Sequence, residues 1–120
     1  MPTWRFKERD EGIIEADLGP EWRGFSEALN DAVSTRAPRG HPSGLSNYWI
    51  DRTMDALVAA KELGARLASG NATSLILGDG LVIAHSDYDL WEDESMPIPD
   101  FEAGMNAWRA MTEQRLGEHF

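Results

Sequence analysis

Cysteine is absent from the 120 residues. That excludes disulfide frameworks, thiolate zinc sites, iron–sulfur clusters and thiol nucleophiles, and it fits a reducing, cytoplasmic setting. Long apolar runs are absent too. The stretch from Ala56 to Ala60 falls far short of the roughly 18 residues a membrane span requires. The first twenty residues alternate charged and apolar side chains, so no signal peptide is expected. Lysine is scarce, two against nine arginines, and between Arg66 and Arg109 there is no Lys or Arg. No serine stands in a nucleophile-elbow frame, and Ser43-Gly44 reads as loop. Gly78-Asp79-Gly80 is followed by strand-like sequence, whereas a phosphate-cradling loop needs a helix directly after its glycines. No catalytic motif stands out, and the expectation is a protein that is not an enzyme and carries no cofactor.

What is present is one domain's worth of chain, residues 1–120, with 42% hydrophobic residues and a net charge of −10. A chain of this size buries enough surface to fold without a metal or disulfide. Residues 67–108 hold eight of its acids, chiefly Asp87, Asp89, Glu92, Asp93, Glu94, Asp100 and Glu102. Such a patch repels phosphate backbones and anionic lipid surfaces, so neither nucleic acid nor membrane is expected as a ligand. A basic protein surface is the natural complement.

Trp4 and Phe6 alternate with Arg5 and Lys7, which is strand patterning. Asp10-Glu11-Gly12 reads as a turn and Gly12 to Leu18 as the return strand. After Gly19-Pro20, the spacing of Trp22, Phe25, Leu29, Ala32, Val33 and Arg36 predicts an amphipathic helix ending near Ala37. A loop of Pro38, Gly40, Pro42, Ser43 and Gly44 follows. Ser46 or Asn47 would cap a second helix, whose stripe of Ile50, Met54, Leu57, Val58 and Leu67 and whose alanines carry it to Gly70-Asn71, with a break or bend at Gly64. Ser74 to Leu77 and Leu81 to His85 form a hairpin about Gly78-Asp79-Gly80. Met96-Pro97-Ile98-Pro99 leads into a last helix bearing Phe101, Met105, Trp108 and Thr112. The order is hairpin, two helices, hairpin, helix: an α+β fold with a small antiparallel sheet and helices packed on one face.

His85, Asp87 and Asp89 alternate, so an extended strand would turn all three to one side, within reach of a single cation. The competing explanation is the solvent face of a strand, and a metal site is not expected. Asp51 and Asp55 sit one helical turn apart beside Arg52 and Lys61, an arrangement a solvated helix face explains. His41 and His119 are expected to be exposed. Trp4, Trp22 and Trp108 fall on apolar faces and suit a core. Trp91 stands outside any periodic pattern, inside the acidic segment. Partner binding is therefore assigned to Asp87, Tyr88, Asp89, Trp91, Glu92, Asp93 and Glu94, an aromatic anchor in a charged rim. The alternative for Trp91 is that it folds back with Leu90 to plug the core. Glu92, Asp93 and Glu94 are expected to be solvated and to add little stability.

The hairpin from Thr73 to Ala84, the sequence His85-Ser86-Asp87-Tyr88, the acidic loop and a last helix with Phe101 and Trp108 together resemble small bacterial immunity proteins of polymorphic and contact-dependent toxin systems. The resemblance covers the C-terminal half. It implies a cytoplasmic protein that blocks one cognate toxin, often a basic nuclease, and it brings no shared catalytic residues. Two other functions suit the residues: a metal- or ligand-binding domain using His85, Asp87 and Asp89, or a homodimer formed through a sheet edge or a Trp-bearing helix face.

Overall fold

The computed structural model describes residues 2–9, 12–40 and 44–117. The turn at Asp10-Glu11, the loop residues His41, Pro42 and Ser43, and His119 lie outside them. The first hairpin pairs β1 (Arg5–Glu8) with β2 (Ile14–Asp17), setting Phe6 against Ala16. Gly19, at φ 91°, turns the chain into a 3-10 turn at Pro20–Trp22. That turn feeds α1 (Arg23–Ala28), which continues as a wide π turn over Leu29–Val33 and stops at Ser34, φ 70°. α2 spans Tyr48–Ala59, and α3 spans Ile98–Gly117.

The second sheet has the order β3 (Arg66–Ser69), β4 (Thr73–Leu77), β5 (Leu81–Ser86), β6 (Glu94–Pro97), all antiparallel. In β5 the strand period separates buried Val82, Ala84 and Ser86 from half-exposed Leu81, Ile83 and His85. The register puts Leu75 opposite Ala84 and Met96 opposite Val82. Against that inner face pack Phe25 and Leu29 of the first helix, Ile50 of α2, and Phe101, Met105 and Trp108 of α3.

The α+β architecture is as expected, with antiparallel sheets and three helical segments. Its hairpins, however, lie in separate sheets, and two further strands join the second one. β3 replaces the second half of the long helix expected up to Gly70. α2 ends at Ala59, Gly64 adopts φ 86°, and Leu67 is buried from a strand. Alanine is the best helix former, but intrinsic propensity is worth only tenths of a kcal/mol per residue, and pairing with β4 outweighs it. β6 occupies what reads as a lead-in to α3. Its Pro97 sits on an edge, where the missing N–H costs no ladder bond.

The N-terminal hairpin reaches the body of the protein through side chains. Ser26 Oγ accepts the Leu18 amide (2.9 Å), and Asn30 takes the Ala16 amide (3.0 Å) while donating to its carbonyl (2.8 Å). Thr35 Oγ1 takes the Ile14 amide (2.8 Å) and donates to its carbonyl (3.0 Å). Four helical residues rise about 6 Å and two strand residues about 6.8 Å, so Ser26 and Asn30 match Leu18 and Ala16. The wide turn inserts a residue, and the third contact falls five positions on, at Thr35. Trp108, fully buried, donates its indole N–H to the same Ile14 carbonyl (3.0 Å).

Candidate functional site

The segment between β5 and β6 carries the acidic residues singled out above, and it is tied down at many points. The Asp87 amide bonds the Ala72 carbonyl (2.9 Å), and its carboxylate accepts the Ser74 hydroxyl (2.9 Å). Asp89 takes φ 55°, one of two non-glycine residues with positive φ among those described. Its amide donates to the Ser86 carbonyl (3.1 Å), and the positive φ turns the chain so that the following Leu90 amide reaches the buried Ser86 hydroxyl (2.9 Å).

Trp91 is half-buried and packs against the core beside α1. Its indole N–H donates to Glu27 (2.8 Å), which also holds Arg23 (3.0 Å). Glu94 reaches from β6 to the start of α1 and accepts the amides of Gly24 and Phe25, both at 2.9 Å. It does the work of an N-cap side chain from 70 residues away, and its negative charge suits a helix N-terminus. Gly24 makes room for this clamp: a Cβ there would lie 2.7 Å from Glu94 Oε2 and from Trp91 Cζ3. Glu94 is thus not the solvated carboxylate the sequence suggests, and Trp91 folds back as the alternative reading has it.

Leu90 does not fold back. It is 75% exposed and Tyr88 68%, among a few large apolar side chains left in solvent that also include Val58 and Leu63 beyond this segment. Around Tyr88 and Leu90, Asp87, Asp89, Glu92 and Asp93 are all exposed. His85 Nδ1 pairs with Asp93 Oδ1 at 2.7 Å. The Asp93 hydrogen bond pushes the imidazole pKa above its ordinary 6.5 against the opposing effect of burial, and the charges of Asp93, Asp87 and Asp89 add to the rise.

No family model, curated protein sequence or solved structure matches the chain. The site therefore rests on its own geometry. Of the three alternating residues His85, Asp87 and Asp89, His85 pairs with Asp93 and Asp87 with Ser74. Among the described residues no three His, Asp or Glu side chains gather around a cation-sized space. Asp51 is taken up by Arg109 Nε (2.6 Å) and Nη2, an ion pair joining α2 to α3 that a purely solvated helix face does not account for. Among the described residues no helix is long and apolar enough to cross a membrane. The supporting roles of Glu27, Ser74 and Ser86 escape a sequence reading, because each depends on a partner in another element or across a turn.

Proposed function

We propose that the protein is a non-enzymatic, acidic protein-binding module whose 87–93 loop docks on a basic protein surface. Its most concrete form is a cytoplasmic bacterial immunity protein that neutralises a cognate toxin. The observation that carries this reading is a loop held at Asp87, Asp89, Leu90 and Trp91 that nonetheless leaves Tyr88 and Leu90 in solvent inside a carboxylate rim. Ordering a loop is a cost of binding, and here it is met within the free protein. Exposed carboxylates steer a cationic partner, and the two apolar side chains supply area to desolvate on contact. Trp91 and Glu94 serve by holding the loop's shape.

The test is capture of partners from the source cell, followed by binding kinetics on the purified pair. Neutralising Asp89 and Glu92 to Ser should slow association by about tenfold at low salt, and the difference should shrink near 0.15 M, where the Debye length is about 8 Å. Tyr88→Ala with Leu90→Ala should speed dissociation, with a loss of about 2 kcal/mol. A partner whose binding ignores salt and both pairs of substitutions refutes the proposal.

A further inference from the structure

A second feature reverses the sign of the surface. Where the π turn, the start of α2 and the β3–β4 turn meet, a groove of about 710 Å3 is lined by Arg36, Arg39, Asn71 and the Trp49 side chain. A smaller hollow of about 190 Å3 shares Trp49 and adds Arg52. Trp49 is common to both, with Arg36 and Arg39 lining the larger and Arg52 the smaller, in a chain of net charge −10.

The one carboxylate among the described lining residues, Asp31, is turned to structural use: it accepts the amides of Asn71 (3.1 Å) and Ala72 (3.0 Å) and the Thr73 hydroxyl (2.6 Å). Its charge is met by those three donors. Arg52 is steadied by the Tyr48 hydroxyl (3.1 Å), and Tyr48 stacks edge-on against Trp49 at 4.8 Å. The arm carrying Arg36 and Arg39 is fixed by the Arg36–Leu45 bridge and the Ala37 amide on the Gly44 carbonyl (3.0 Å).

We propose that this groove binds a small phosphorylated molecule with a planar ring, of the nucleoside monophosphate type. Guanidinium groups match phosphate oxygens in pairs, and an indole face takes a flat heterocycle. The main volume lies within the range of small-molecule sites. A nucleic-acid strand does not fit the same argument, because its many phosphates would meet the excess carboxylates of the rest of the molecule, whereas one phosphate meets only the groove. The groove shares no lining residue with the 87–93 loop, so this inference stands apart from the protein-docking proposal.

Calorimetric titration of the full chain with AMP and with UMP tests it, with inorganic phosphate and adenosine as fragments. The expected result is saturable one-to-one binding of a nucleotide, with each fragment weaker. Arg39→Ala and Arg52→Ala, both exposed positions, should each weaken it by about tenfold at unchanged melting temperature. In NMR spectra the Trp49 indole N–H should shift, and those of Trp91 and Trp108 should not. Absence of saturable binding up to about 10 mM overturns the proposal, as does binding that survives both substitutions. Sedimentation supplies a further check: a dimer that Arg39→Ala dissolves, with no nucleotide bound, would assign the groove to the acidic segment of a second copy and sink the small-ligand reading.

Discussion

Asp31 shows how much one side chain can hold. Burial pushes its carboxyl upward, but the Thr73 hydroxyl and the amides of Ala72, Asn71 and Thr73 outweigh this and leave it below the ordinary 3.8. A depressed folded pKa means a stabilisation that is present above the unfolded value and lost as pH falls through the folded one. Asp31→Asn should therefore cost about 1.5–3 kcal/mol at pH 7 by urea denaturation, from the hydrogen bonds to the charged group, and the gap from the parent should close as pH falls below 3.8 and through the folded pKa. His85 behaves in the opposite sense. Its folded pKa is raised, so the Asp93 contact stabilises fully below 6.5 and fades as pH rises through the folded value. An NMR titration of the imidazole should place its midpoint above 6.5, and Asp93→Asn should move the midpoint down. An unmoved midpoint would show that the pair is not formed in solution.

At the scale of elements, α3 meets the N-terminal hairpin through a glycine. A Cβ on Gly104 would fall 1.9 Å from Trp4 Cε2, inside the indole itself. Alanine is the better helix former by about 1 kcal/mol, yet the crowding should win, giving Gly104→Ala a net loss of about 1–2 kcal/mol in urea unfolding. In a Trp4→Leu background the same substitution should turn neutral or stabilising, and a penalty that persists there would rule out the Trp4 contact as its cause. Elements with a local signature are legible in the sequence: Gly78-Asp79-Gly80 announces its hairpin, and Phe101, Met105 and Trp108 mark the buried side of α3. β3 is not legible, since Ala65, Leu67 and Ala68 spell helix until β4 offers its edge. Of the candidate site, the exposure of Tyr88 and of the carboxylates follows from local polarity. The clamp of Trp91 on Glu27 and of Glu94 on α1 joins residues 64 to 70 positions apart and leaves no local pattern to read.

Across the whole molecule, 21 acids face 11 bases, and self-repulsion opposes compaction. Added salt should therefore raise Tm, by about 2–4 °C between low ionic strength and 0.15 M. A fall in calorimetric Tm would instead show that ion pairs such as Arg109–Asp51 and Arg115–Glu8 dominate the balance. The molecule also contains an internal clock for one of its parts. β2 lies between β1 and a row of hydroxyl and amide side chains, so the amides of Ile14, Ala16 and Leu18 are engaged on one flank and, by alternation, those of Glu15 and Asp17 on the other. In deuterated solvent every amide of β2 should thus exchange slowly, while β1, an outer strand, should show slow and fast residues in alternation. Ile14, Ala16 and Leu18 can exchange when Ser26, Asn30 and Thr35 let go, whether or not the four-stranded sheet opens. Their rates, set against those of Leu75 and Ala84, separate detachment of the hairpin from unfolding of the whole.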